Sequence, residues 1–292
     1  MNILPTDALI IVDPQQDFVP GGKLAVAGGD EIMPGIVDLA KRFHEAGAVI
    51  VMTQDWHPAG HSSFASSHPG KQPFDTITMP YGEQVLWPDH CVQEDEGGDF
   101  VDAVLKAEDW ASIVIRKGMN PEIDSYSAFY ENDKKTSTGL SGYLLSRKVK
   151  RVFVVGLAYD YCVGYTALDA APIFESVVIK SLSRAIAMPL PLAWSDGHPL
   201  TTVDTIEDAF EKEGVKVIDM IDDYIEQKPK PLPMSASEAF DMCIALCERM
   251  EAGADDLAQS DEEASGIKGA AFNLRVGFLA MKKAEEDAQN SH

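Results

Sequence analysis

Cysteine is scarce in this sequence: four in 292 residues, Cys91, Cys162, Cys243 and Cys247. That is too few for a disulfide framework in a chain of this length, and it points to a reducing compartment where a free thiol survives. Positive charge is also scarce. Lys and Arg number 24 against 47 Asp and Glu, giving a net charge of -23. Such a surface repels nucleic acid and anionic membrane, so neither is expected as a partner. No apolar run approaches the roughly 20 residues that a membrane-spanning helix needs. The start, Met1-Asn-Ile-Leu-Pro-Thr-Asp, lacks the basic and apolar segments of a secretory leader. The expected location is the cytoplasm. No internal repeat and no low-complexity tract interrupts the chain.

What is present is ordinary globular material: 45% apolar and 24% charged residues. Short, β-branched runs at Ala8–Val12, Val49–Met52, Ser112–Ile115, Arg151–Val155, Ser176–Ile179 and Val215–Ile218 do not alternate with polar residues. They read as parallel strands covered on both faces. Helical spacing falls between them, over Ile32–Ala46 (stopped by Gly47), Phe100–Lys106, Gly139–Ser146 and Cys162–Phe174, and again after Thr202 through Ala209 and Phe210. Strand–helix alternation predicts an α/β fold, a three-layer α/β/α domain with a mostly parallel central sheet, over residues 1–226. Residues 227–292 read differently. Lys228-Pro-Lys-Pro-Leu-Pro233 is a stiff linker. Phe240, Ile244, Cys247 and Met250 then share one helix face, and Ile267, Ala271, Leu274, Phe278 and Met281 another. These predict a C-terminal helical appendage that packs on its own domain or forms an interface between copies in a homo-oligomer.

In parallel sheets, sites form beyond the C-terminal ends of the strands. Four polar groups fall there: Asp13, Asp55, Lys117 and the segment Gly156–Cys162. Cys162 follows a strand and a Gly-containing turn at a helix start, where backbone N–H groups and the helix dipole favour a thiolate. The N–H groups of Ala158 and Cys162 could form an oxyanion hole there. A lone cysteine in such a place is ordinarily a small buried hydrophobe; its company decides otherwise. Asp13 can take a thiol proton if its surroundings raise its pKa. Lys117 can hold that carboxylate and favour the thiolate. The second cluster is Asp55-Trp-His57-Pro-Ala-Gly-His61, with His90 on a later loop. Asp55, His57 and His90 make a His/His/carboxylate metal set with open positions, as catalytic sites require. His61 is either a fourth ligand or a group behind the ligands. Phe18, Trp87 and Tyr126 lie near both clusters and could sandwich a flat ring. Cys91, Cys243 and Cys247 read as packing residues, and His68 and His198 as polar residues without a site.

These stretches together resemble the nicotinamidases, within the isochorismatase-like cysteine hydrolases. The matching segments are Ile11-Val-Asp13-Pro-Gln-Gln-Asp-Phe18-Val-Pro-Gly-Gly22, Thr53-Gln-Asp55-Trp-His57-Pro-Ala-Gly-His61-Ser-Ser-Phe64-Ala, Leu86-Trp-Pro-Asp-His90-Cys-Val92, Lys117-Gly-Met-Asn-Pro-Glu-Ile-Asp-Ser-Tyr126-Ser-Ala-Phe129 and Gly156-Leu-Ala-Tyr-Asp-Tyr-Cys162-Val. They run in family order through the first 220 residues or so. The resemblance implies a catalytic Asp13, Lys117, Cys162 triad and a cis peptide at Leu157-Ala158. It implies metal ligands Asp55, His57 and His90, with a histidine near His61 in some members. It implies ring contacts from Phe18, Trp87 and Tyr126. The implied activity is hydrolysis of nicotinamide to nicotinate and ammonia in NAD salvage, with one divalent ion, zinc before Fe2+ or Mn2+, and no organic cofactor. Tyr159 departs from the family, which has a small polar residue there. A metal-free amidase of the same fold acting on carbamoyl or ureido substrates, and a non-catalytic pyridine-binding protein, are the competing expectations.

Overall fold

A computed structural model describes residues 3–195 and 198–224. The appendage expected beyond residue 226, with Cys243 and Cys247, lies outside the described residues. In chain order the elements are β1 (Asp7–Val12), α1 (Met33–Glu45), β2 (Val49–Asp55), a hairpin of β3 (Thr76–Met79) and β4 (Gly82–Val85), a short α2 (Leu105–Glu108) and β5 (Ile113–Lys117). There follow α3 (Leu140–Ser146), β6 (Arg151–Leu157), α4 (Gly164–Ala170), β7 (Glu175–Arg184), a second hairpin of β8 (Pro189–Ser195) and β9 (His198–Thr201), α5 (Thr202–Glu213) and β10 (Lys216–Ile218).

Six strands form the central sheet in the order β10-β7-β6-β1-β2-β5. Every pairing in it is parallel. Because strand side chains alternate, β1 feeds both faces. Leu9 and Ile11 pack on Met33, Ile36, Leu39, Ala40 and Phe43 of α1. Ala8, Ile10 and Val12 join Leu140 and Leu144 of α3, Ala167 and Ala170 of α4, and Ile206 and Phe210 of α5. All six residues of β1 are buried, which is why the run carries no polar alternation. The three-layer α/β/α arrangement expected from the sequence is the one observed.

Local structure departs from expectation at identifiable places. Phe100–Lys106 holds only a 3-10 turn (Asp102–Val104) that runs into the single turn of α2. The helix expected from Cys162 opens earlier, as a π-helical turn over Tyr159–Val163, before α4 continues it. Neither hairpin was expected. The strands of the first are four residues each and mostly exposed or half-buried, so they carry no apolar run that would mark them.

Candidate active site

The ends of β1, β2, β5 and β6 bring Asp13, Asp55, Lys117 and Cys162 to one edge of the sheet. Lys117, the last residue of β5, and Asp13, just past β1, are both buried. The Lys117 Nζ lies 2.9 Å from Asp13 Oδ2 and 2.6 Å from Asp55 Oδ1. It also donates to the Ser125 carbonyl at 3.0 Å and to Cys162 Sγ at 3.4 Å. Thr53 Oγ1 donates to Asp13 Oδ1 at 2.6 Å and accepts the Asp13 N–H at 3.1 Å. Asp13 is thereby held at φ +47°, in the left-handed region. Gly156 allows β6 to pass this point: at φ +115° its missing side chain leaves room for the Val12 carbonyl. The peptide Leu157-Ala158 is cis, where the family resemblance places it. The turn that follows winds on the Ala158 carbonyl, which accepts the N–H groups of Tyr161 and Val163 at 3.0 and 3.1 Å.

Electrostatics separates the two carboxylates. Burial pushes the Asp13 pKa up, with Lys117 pulling against it. Asp55 is equally buried, yet Lys117 and the two histidines hold it well below the usual carboxylate range. Burial also pushes the Cys162 thiol up, and the Asp13 and Asp55 charges add to this against the pull of Lys117. The helix start and Lys117, expected from sequence to favour a thiolate, act against that desolvation. A carboxylate whose own pKa is raised, beside a thiol that must lose a proton, is a matched base.

The second cluster surrounds Asp55. His57 Nδ1 contacts the Gly118 carbonyl at 2.9 Å, and His90 Nδ1 the Pro88 carbonyl at 2.8 Å. A carbonyl only accepts, so each Nδ1 must carry a proton, and Nε2 is the atom each ring turns towards Asp55. Those Nε2 atoms lie 3.4 and 3.6 Å from Asp55 Oδ2. The His57 Nε2 is buried without a hydrogen-bond partner. Two imidazole nitrogens and a carboxylate oxygen converging on one point are the donor set a divalent cation satisfies, and Asp55, His57 and His90 fit one. His61 differs. Its Nε2 meets the Asn120 carbonyl at 2.8 Å, and its Nδ1 accepts the Ser63 N–H at 3.1 Å and lies 2.8 Å from Ser63 Oγ. Both ring nitrogens are engaged, with the ring packed against His57 at 4.4 Å. Burial lowers its pKa, so it stays neutral.

Between the clusters lies a cavity lined by Phe18, Trp87, Tyr126, Ala158 and Cys162, with Asp55 and His90 also in its wall. All three aromatics singled out in the sequence line it. Trp87 Nε1 donates to the Tyr126 hydroxyl at 3.3 Å. Leu24, Asp124, Tyr161 and Ile186 also line the cavity and were missed. Tyr161 adjoins Cys162 and stands edge-on to Trp87 at 4.9 Å, so its position beside the nucleophile was the available signal. Ile186 had none. It is delivered by buried Asp160, which accepts the N–H groups of Ile186 and Ala187 at 2.9 and 2.8 Å. Tyr159 does not line the cavity; its hydroxyl donates to Glu207 of α5 at 2.9 Å. Cys91 is fully buried, with its thiol pushed well up by that burial, in keeping with a packing residue.

Comparison with known proteins matches residues 7–178 to the family described as "Isochorismatase domain". A nicotinamidase of Acinetobacter baylyi is 52% identical over 192 residues, covering 65% of this chain and 87% of that protein. A solved yeast nicotinamidase bound to the inhibitor nicotinaldehyde shares 30% identity with a TM-score of 0.64, covering 73% of this chain and all of that one (100%). A solved pyrazinamidase of Pyrococcus horikoshii in complex with zinc shares 32% identity with a TM-score of 0.55, covering 74% of this chain and 100% of its own.

Proposed function

This chain belongs to the isochorismatase family, and we propose that it is a nicotinamidase, an amidohydrolase that cleaves nicotinamide to nicotinate and ammonia through a thioester on Cys162. The observation that carries the reading is the buried Asp13–Lys117–Cys162 set, joined at 2.9 and 3.4 Å, in the wall of an aromatic cavity beside a His/His/Asp cluster. Relatives named as nicotinamidases supply the substrate.

The ring lies between Phe18, Trp87 and Tyr126 with its carboxamide towards Cys162. Asp13 takes the thiol proton, and the sulfur attacks the amide carbon. The N–H groups of Ala158 and Cys162 hold the oxyanion; one such donor is worth about 3–4 kcal/mol. Asp13 returns the proton to the departing nitrogen, which leaves as ammonia. It then takes a proton from water as that water attacks the thioester, and passes it to the departing Cys162 sulfur, restoring the thiol. Lys117 stays charged throughout and fixes both Asp13 and Asp55. Asp55, His57 and His90 would hold a divalent ion, zinc as in the Pyrococcus relative, which would supply Lewis-acid attraction for the pyridine ring. His61, with both nitrogens engaged, backs the ligands rather than joining them. The setting is the cytoplasm and NAD salvage, where a free thiol survives and nicotinate is reused.

The test is ammonia release from nicotinamide beside carbamoyl and ureido compounds, with metal analysis of the purified protein. Nicotinamide turnover with about one bound divalent ion per chain supports the reading. Turnover of the ureido compounds alone, in metal-free protein, or pyridine binding without ammonia release, would replace it.

A further inference from the structure

Two buried polar residues of the segment after β1 take no part in the chemistry above, yet each grips a peptide group of the His/His/Asp cluster. Gln15 is fully buried. Its Oε1 accepts the Asp55 N–H at 2.8 Å, and its Nε2 donates to the Asp55 carbonyl at 2.8 Å and to the Gly98 carbonyl at 2.9 Å. One side-chain amide thus pairs with both polar groups of the Asp55 backbone. The reason is topological. β1 pairs with β2 in the register Ile11↔Met52. Continued, that register would put Pro14 opposite Asp55, and proline has no N–H to give. Gln15 supplies from its side chain the donor and acceptor that the strand no longer offers.

Asp17 does the corresponding work on the other loop. Its Oδ2 accepts the Cys91 N–H at 2.8 Å and its Oδ1 accepts the Lys23 N–H at 3.0 Å. The Cys91 peptide adjoins His90, and its carbonyl accepts the His57 N–H at 3.0 Å. Cys91 itself is held at φ +45°, a conformation that a non-glycine residue keeps only when its surroundings enforce it. The residue types follow from the partners. Position 15 needs one acceptor and one donor, which an amide has. Position 17 needs two acceptors, which only a carboxylate has.

We propose that Gln15 and Asp17 are positioning residues for the divalent-metal centre, setting the spacing of Asp55, His57 and His90 through their peptide groups. This rests on the reading that those three residues hold a metal. The experiment measures the Zn2+ dissociation constant of the full chain by competition with a chromogenic chelator, for wild type, Gln15→Met and Asp17→Asn. Disturbing groups that orient metal ligands typically weakens binding 10–100-fold, and that is the expected loss for each variant. Ammonia release should recover towards the wild-type kcat as Zn2+ is raised to saturation, a rescue that mere structural damage would not show. Melting curves reveal a variant that does not fold. Gln15→Asn, which keeps the amide on a shorter arm, then gives the same reading with a smaller shift. Folded variants that bind Zn2+ as tightly as wild type overturn the inference. A wild-type chain that binds no Zn2+ overturns the metal reading beneath it, and is distinguishable because it fails before any variant is compared.

Discussion

Replacing Lys117 by methionine keeps the side chain out to Cε and removes the ammonium set between two buried carboxylates. Lys117 Nζ lies 2.6 Å from Asp55 and 2.9 Å from Asp13, and its side chain is wholly shielded from solvent. Removing one partner of a buried pair typically costs about 3–5 kcal/mol, because the remaining charge is left uncompensated. Against a total stability of about 5–15 kcal/mol, that is a large fraction. At about 2–4 °C per kcal/mol for a domain of this size, the melting temperature should fall by about 6–20 °C. The loss should depend on pH in a definite direction. Asp13 already has a folded pKa above its ordinary value, and Lys117 is the group pulling it down, so the variant raises it further. A raised acid contributes stability below its unfolded pKa and loses it as pH rises through its folded pKa. The variant should therefore lose more stability than wild type between pH 5 and pH 8. Calorimetric melts of both proteins across that range, with and without a chelator, read it directly. A Lys117→Met protein melting within about 2 °C of wild type at pH 8 would refute the reasoning, since the lysine would then not be balancing two ionised carboxylates.

Other expectations can be checked together. Cys162→Ala should bring ammonia release from nicotinamide down to background while moving the melting temperature by no more than about 3 °C, because a small buried side chain is lost without any ion pair. The acidic limb of the kcat/KM profile should lie above the ordinary aspartate range, as burial raises the base Asp13; a limb at or below about pH 4 would count against Asp13 in that role. Tyr159→Phe should leave kcat and KM within about twofold, since its hydroxyl meets Glu207 away from the cavity, and a larger kinetic change would show that this residue reaches the substrate after all.

Much of the arrangement was legible in the residues, for a physical reason. Ala8–Val12 and Arg151–Val155 are buried on both faces, so burial writes itself into consecutive positions, and a polar residue ending such a run stands out. Asp13, Asp55 and Lys117 were visible in that way. What escaped depends on pairings that cross the chain. Gln15 meets Asp55 across 40 positions of sequence, and nothing local to Gln15 announces it. Ile186 reaches the cavity because Asp160 holds its backbone. The hairpin β3–β4 contributes Gln84, buried and hydrogen-bonded to Asp124 at 2.9 Å, from strands too short and too polar to be seen.

The lining of the cavity bears on what an acyl group on Cys162 can be passed to. Phe18, Trp87, Tyr126, Tyr161 and Ile186 stand around the thiol. On the proposed thioester route, the walls that grip the ring also crowd the approach to its carbonyl. Water is the smallest acceptor available, and bulkier amines or alcohols would have to displace Trp87, Tyr161 or Ile186 to compete. The same side chains that select the ring thereby favour hydrolysis over transamidation.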